Sequence, residues 1–263
     1  MSISSHYKIA VQAGQRPDFC RILLIGDNGS GKTSLITRFI FNTFTSLPSL
    51  TPTTAPNRHR TQRLVTSSPC IIELVEAEPQ PSHSVDGNVN EEILREIANA
   101  DAVVLVYSIC GLRWHPLHRE VERERDAWRR VPLEGVRRLG GLVRRGEERS
   151  GKAGEGWGEG EGGEDGEEVV MMVLGCQRDR EDLRIVREED GRDVAVELGC
   201  GFVEVEVESG CEDVNAVMDS LVVQVRDRRK RRAEDSCEET MELPRRSSSA
   251  ATATGFWERM LGR

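Results

Sequence analysis

The chain has 263 residues, of which 37% are hydrophobic and 31% charged, and its formal net charge is −9. No run of eighteen apolar residues and no signal-peptide core occurs, so we expect a cytoplasmic protein without a membrane span. Residues 146–168 hold nine acidic and two basic side chains, a local charge of −7, which leaves the rest close to neutral. This distribution argues against a nucleic-acid-binding surface.

The first predicted strand leads into the most informative segment of the chain. Residues 21–25 form a short apolar run, and Gly26–Thr33 then matches the pattern G-x-x-x-x-G-K-[ST] before a predicted helix. Glycines at these positions let backbone N–H groups surround a phosphate, and the helix N-terminus adds partial positive charge. Lys32 would reach the β- and γ-phosphates and the Thr33 hydroxyl would ligate Mg²⁺. The predicted nucleotide-binding residues of this segment are Gly26, Asn28, Gly29, Ser30, Gly31, Lys32, Thr33 and Ser34.

Further apolar runs predict alternating strands and helices along the rest of the chain. A long polar segment at residues 46–68 is predicted to be a loop that ends in an edge strand. Strands that alternate with helices indicate a mostly parallel sheet covered on both faces. We therefore expect an α/β P-loop NTPase fold with roughly six strands. Predicted strands follow at 71–75, 102–107, 169–174 and 201–205, and predicted helices at 91–98, 119–145, 187–198 and 214–229.

The composition also suggests boundaries within the chain. The glycine-rich acidic segment 146–168 is predicted to be a disordered insertion, because it has few apolar residues to bury. The full prediction is a lead-in at 1–19, a domain at 20–229 and a mixed tail at 230–263.

A basic run at residues 226–232 lies at the end of the last predicted helix. It can bind an anionic membrane surface, act as a nuclear-localisation patch, or simply be a solvated helix end. Cys237 lies well inside the tail, so the sequence has no prenylation box. Any membrane association would therefore be peripheral.

The order of these segments resembles the Ras-like small GTPases over residues 20–229. The run Ala100–Ser108 is similar to the ADxxxLVYS sequence on that family's central strand. Phe44, twelve residues after the loop lysine, matches the aromatic that packs on guanine. Thr53 follows a proline, like the switch threonine that closes over Mg²⁺ and the γ-phosphate. The resemblance implies GTP/GDP and Mg²⁺ as ligands, a monomer, and signal transduction through effector or regulatory proteins.

The guanine motif N-K-x-D of this family corresponds to Cys176-Gln177-Arg178-Asp179. The resemblance implies that Asp179 accepts hydrogen bonds from guanine N1 and N2, and such a carboxylate discriminates strongly against adenine. The asparagine and lysine that brace the loop are missing. The family's S-A-K loop would fall at residues 206–208, which do not match it. Asp179 and Thr53 can also be read as ordinary loop residues.

The second switch of the family reads D-T-A-G-Q, and here it is degenerate. Counting from Thr53 places Val75 at its aspartate, Glu78 at its glycine and Pro79 at its glutamine. Glu76 could lend a carboxylate, but strand alternation turns it away from Val75. We therefore expect a weakened Mg²⁺ site, slow or lost GTP hydrolysis, and no assignable catalytic residue.

Two alternative functions remain open at this stage. The chain could be a pseudo-GTPase scaffold with a vestigial nucleotide site, acting through its insertion and tail. It could also be an unrelated P-loop ATPase or kinase, although Asp179 and the central strand argue against this.

Overall fold

The structure is a computed structural model. It describes residues 14–44, 56–78, 91–110, 125–152 and 169–242, together with Lys8 and Val11; side chains are described for 132–145 of the helix at 125–152 and up to 235 of the last helix.

Six strands and five helices alternate in the described residues. A short 3₁₀ helix, Arg178–Leu183, follows the fifth strand. The strands are β1 Asp18–Ile25, β2 Asn57–Val65, β3 Ser68–Ala77, β4 Ala102–Ser108, β5 Val170–Cys176 and β6 Gly201–Val205; the helices are α1 Lys32–Phe41, α2 Glu91–Ala98, α3 Arg125–Lys152, α4 Glu188–Glu197 and α5 Glu212–Glu242.

The strands form one sheet in the order β2-β3-β1-β4-β5-β6. Only the β2–β3 pair is antiparallel. All seven residues of β4 are buried, as expected for a central strand with both faces covered. Strands β1 and β3 run parallel with Leu24 opposite Glu76 and Ile25 opposite Ala77, and this register decides what reaches the site described below.

Each face of the sheet has its own apolar core. On one face, α1 and the first part of α5 pack against Ile22, Leu24 and Leu74. On the other, α2, α3 and α4 pack against Leu23, Val75 and Leu105. Odd and even residues of a strand point to opposite faces. A strand side chain therefore contacts either α1 and α5 or α2, α3 and α4, depending on the face to which it points.

The predicted fold is confirmed: a six-stranded, mostly parallel α/β sheet with helices on both faces. Helix α3 continues to Lys152, so the first seven residues of the predicted insertion 146–168 are helical, and residues 153–168 lie outside the described part of the chain. The chain divides into two compact units, Met1–Val225 and Arg226–Arg263. The predicted boundaries stay predictions.

Candidate functional site

The turn between β1 and α1 has the backbone geometry of a phosphate-binding loop. Gly29 and Gly31 have φ values of +78° and +106°, which glycine adopts without strain. A Cβ on Gly31 would lie 2.8 Å from Cβ of Cys176, and a Cβ on Gly26 would overlap the Val106 carbonyl oxygen. Three glycines of the motif are thus required by conformation or by space.

Lys32 is held inside this turn. Its Nζ donates hydrogen bonds to the carbonyl oxygens of Gly26 and Asp27, each at 2.8 Å. Burial lowers the pKa of Lys32, and the carboxylates of Glu76, Glu78 and Asp27 counteract this effect. The loop therefore presents one buried cation surrounded by backbone dipoles, which suits a ligand that carries several negative charges.

The Thr33 hydroxyl donates a 2.5 Å hydrogen bond to Oε1 of Glu76. This contact places Glu76, and not Val75, beside the predicted metal ligand Thr33. Val75 is buried against α2 and α3, on the face away from the phosphate loop. Strand alternation does turn Glu76 to the opposite face, as expected, but that face is the one that α1 covers.

Thr33 and Glu76 together suit a magnesium ion. Mg²⁺ prefers oxygen ligands and is usually held by one or two protein groups together with phosphate oxygens and water. Within the described ranges no group of three or more His, Cys, Asp or Glu could hold a metal. A hydroxyl and a carboxylate beside a phosphate loop instead fit a site in which Mg²⁺ is held partly by the phosphates of a bound nucleotide. Thr53, the other predicted metal ligand, lies outside the described residues.

Gln177 joins the second half of the sheet to the phosphate loop. Its amide Nε2 donates to the Gly29 carbonyl oxygen at 3.3 Å, and its Oε1 accepts a 2.9 Å hydrogen bond from the Ser108 hydroxyl. Its φ is +73°, so the chain turns sharply here at the end of β5. The asparagine and lysine of the family motif are absent, and the neutral amide of Gln177 connects the two loops.

Asp179 lies next, at the start of the 3₁₀ helix. Its side chain is 13% exposed, and Nε of Arg180 is 3.7 Å from its Oδ2. Burial raises the pKa of Asp179, and the nearby carboxyl groups of Glu208 and Glu206 raise it further. The predicted guanine-reading carboxylate therefore has further carboxyl groups nearby. No pattern in the sequence indicated this.

Arg38 ties the helix α1 to the loop that carries Glu208. Its Nε donates to the Val207 carbonyl oxygen at 2.7 Å, and its Nη2 donates to the carbonyl oxygen of Glu208. The same guanidinium lies 6.0 Å from the ring centroid of Phe44, the aromatic predicted to pack on the base. Arg38 thus links the end of the phosphate helix, Phe44 and the loop after β6.

A buried ion pair holds the 3₁₀ helix from behind. Nη1 and Nη2 of Arg184 lie 2.9 and 2.7 Å from the two carboxylate oxygens of Glu204 on β6, and the Tyr107 hydroxyl donates to the same carboxylate at 3.2 Å. A bidentate pair of this kind fixes both partners in orientation. Burial, followed by the Glu204 charge, raises the pKa of Tyr107, so its proton stays available for that bond.

The predicted site residues of the described part fall into two groups. The residues from Gly26 to Ser34 line the turn between β1 and α1, with Asn28 and Gly29 exposed and Ser30 buried. Asp179 begins the 3₁₀ helix beyond β5, and Gln177 connects that region to the turn. Phe44 reaches the base-side loop through Arg38. The carboxyl ends of β1 and β5, parallel strands on either side of β4, thus lie at the same edge of the sheet.

The model of the Ras family matches residues 21–113. Over these residues the chain is similar to the Ras family, which supports a Ras-like small GTPase superfamily member. The match covers the phosphate loop, the segment of Thr53, and strands β1 to β4, and it stops before Gln177 and Asp179. A comparison with curated proteins finds no match. The Ras-like family generally binds GTP or GDP with Mg²⁺.

No helix in the described ranges is long and apolar enough to cross a bilayer.

Proposed function

We propose that this Ras-like protein binds GTP and GDP with Mg²⁺ and signals through protein partners, with GTP hydrolysis that is slow or absent. The observation that carries the binding part is the contact between Thr33 and Glu76 beside Lys32. Lys32, Thr33 and Glu76 have the chemistry to bind phosphate and Mg²⁺, and all three lie beside one glycine-rich turn. A turn with only a structural role does not require this combination.

Each group has a separate part in nucleotide binding. Lys32 would exchange its carbonyl partners for the β- and γ-phosphates, and the N–H groups of the turn would bind the remaining oxygens. Thr33 would ligate Mg²⁺, which neutralises phosphate charge when it is bound, and Glu76 would orient that hydroxyl and a metal-bound water. Asp179 would accept hydrogen bonds from the guanine base, and Phe44 would pack against its ring.

The position of Glu76 also changes how the second switch is aligned. If Glu76 takes the place of the aspartate in D-T-A-G-Q, then Pro79 takes that of the glycine and Gln80 that of the glutamine. The glycine contributes an N–H that senses the γ-phosphate, and proline has no N–H. Gln80 would keep the side chain that orients the attacking water. The proposed reason for slow hydrolysis is therefore the loss of one backbone donor. Residues 79 and 80 lie outside the described part.

A single-turnover assay of GTP hydrolysis tests this proposal on the full chain and on Pro79→Gly and Gln80→Ala. We expect slow hydrolysis in the natural chain. Pro79→Gly should hydrolyse GTP faster and bind GTP more tightly than GDP. The double variant Pro79→Gly/Gln80→Ala should show no gain in hydrolysis over the natural chain. Hydrolysis by the natural chain at the rate of an ordinary small GTPase would contradict the proposal. Failure to bind any nucleotide would favour the pseudo-GTPase scaffold.

A further inference from the structure

The 3₁₀ helix that carries Asp179 has no apolar anchor of its own. None of its residues, Arg178–Leu183, is buried, and its one apolar side chain, Leu183, is 49% exposed. A segment that buries so little apolar surface gains little from the hydrophobic effect. The position of this helix on the sheet, and with it the position of the Asp179 carboxylate, therefore depends on polar contacts.

Arg184, which directly follows the helix, uses its whole guanidinium group for such contacts. Its Nε donates to Oε1 of Glu181 on the helix at 2.7 Å, and its Nη1 donates to the Val186 carbonyl oxygen at 3.0 Å. Nη1 and Nη2 also donate to the two carboxylate oxygens of Glu204 on β6. One side chain thus connects the helix, the segment after it and the sheet.

The pair of Arg184 and Glu204 lies in the interior of the domain. The two side chains are 15% and 5% exposed, and the Tyr107 hydroxyl on β4 donates to the same carboxylate. Taking two charges out of water costs about as much as their attraction returns, so apolar side chains of similar size can stabilise such a place equally well. Apolar side chains do not supply the fixed geometry of a bidentate pair. The pair therefore contributes orientation more than stability.

We propose that Arg184 is a positioning residue for base recognition, which holds the Asp179 carboxylate where a guanine base would meet it. This inference rests on the proposed guanine-nucleotide binding. Lys32 and the glycine-rich turn lie after β1, whereas Arg184 and its partner Glu204 lie beside β5 and β6. Loss of the pair should therefore weaken the contribution of the base to nucleotide affinity and leave the contribution of the phosphates unchanged.

The test uses variants that keep the domain folded. Removal of Arg184 alone would leave a buried charge without its partner and destabilise the fold. Arg184→Met/Glu204→Leu replaces the pair with apolar side chains, and Tyr107→Phe is added because the hydroxyl would lose its acceptor; this combination is the triple variant. A second variant, Arg184→Lys, keeps the charge but lacks the bidentate fork. Thermal unfolding shows whether each variant is folded before it is titrated.

A matched control comes from another bidentate pair. Nε and Nη2 of Arg137 lie 2.6 and 3.1 Å from the two carboxylate oxygens of Glu197, and this pair joins α3 to α4. Arg137→Met/Glu197→Leu therefore makes the same chemical change between two elements that do not carry Asp179. It should leave the affinities for GDP and ADP as they are in the natural chain.

Equilibrium titration of the full chain with GDP and with ADP measures the contribution of the base, because the two nucleotides share the sugar and the phosphates. We expect the triple variant to lower GDP affinity about tenfold, an effect typical of coupled residues, and to keep ADP affinity. Arg184→Lys should also lower the preference for GDP over ADP.

A double-mutant cycle with Asp179→Ala separates positioning from a merely structural role. If Arg184 acts through Asp179, the triple variant changes GDP affinity no further in the Asp179→Ala background. An equal loss of GDP and ADP affinity in both backgrounds would overturn the inference, and so would a triple variant that keeps the GDP preference of the natural chain. A natural chain that binds GDP no more tightly than ADP would instead contradict the proposed function, and the inference with it.

Discussion

The two ends of the site are built in different ways. At the phosphate end the ligand would meet mostly backbone, held by Gly26, Gly29 and Gly31, with Lys32 among the carbonyl groups. At the base end the predicted contacts are side chains, Asp179 at the start of the 3₁₀ helix and Phe44 after α1. The match to the Ras family covers the first end and Phe44 and stops before Asp179. Backbone geometry permits few substitutes for glycine, whereas a side-chain contact can be made by several residue types.

The largest effect should come from the phosphate end. Lys32→Ala removes the buried cation and two charge-assisted bonds to phosphate, so we expect GTP and GDP affinity to fall by at least about 100-fold. Titration with fluorescent GTP and GDP measures both affinities. Lys230→Ala is the control, because Lys230 is exposed on α5 and pairs with Glu234. Equal affinity in Lys32→Ala and in the control would show that phosphate is not bound in this loop.

At the base end, Asp179→Ala should lower GDP affinity by about 100-fold and leave ADP affinity nearly unchanged. The reason is that adenine has no N1–H group, so it cannot donate this hydrogen bond to the carboxylate. Competition between GDP and ADP on the purified variant measures the selectivity. A variant that keeps the GDP preference of the natural chain would assign base recognition to other residues.

An intermediate effect is expected where the metal would bind. Glu76→Gln keeps the size of the side chain but removes its charge, so Mg²⁺ affinity in the nucleotide complex should fall by about tenfold or more. Titration of Mg²⁺ against the rate of GDP release measures it. Glu78→Gln is the matched control, because Glu78 lies two residues away and also acts on Lys32 through its charge. If both variants lose Mg²⁺ equally, the contact between Glu76 and Thr33 has no special part.

This contrast also explains how far the sequence alone predicted the structure. The apolar runs predict all six strands because burial on both faces requires them, and the glycine spacing predicts the phosphate turn. Glu76 was considered as a carboxylate, but counting from Thr53 with the family's loop length favoured Val75 at that position, and a shift of one residue changes the face of the strand. The hydrogen bond from Gln177 to the Gly29 carbonyl oxygen was missed because it joins two loops that only the folded chain brings together.

The smallest expected effect is a pH dependence at the base end. Burial and the nearby carboxyl groups of Glu208 and Glu206 raise the pKa of Asp179 above its ordinary 3.8, while its own backbone N–H lowers it. Arg180 on the same 3₁₀ helix also faces it. The thiol groups of Cys110 and Cys176, which lie nearby, have pKa values raised to about 11 and about 12, so they stay neutral throughout.

The sign follows from which form the base requires. Guanine donors bind the carboxylate, so the bound state lowers the pKa that the nucleotide-free state has raised. GDP affinity should therefore be full above the raised pKa of the nucleotide-free chain and fall as the pH drops through it. The expected fall is a few-fold as the pH is lowered through this raised pKa. Asp179→Ala serves as the control, because the phosphate groups of GDP titrate in the same way with this variant. If GDP affinity falls equally with pH in that variant, the pH dependence comes from protonation of the phosphate. Base recognition would then involve no change in the protonation of Asp179.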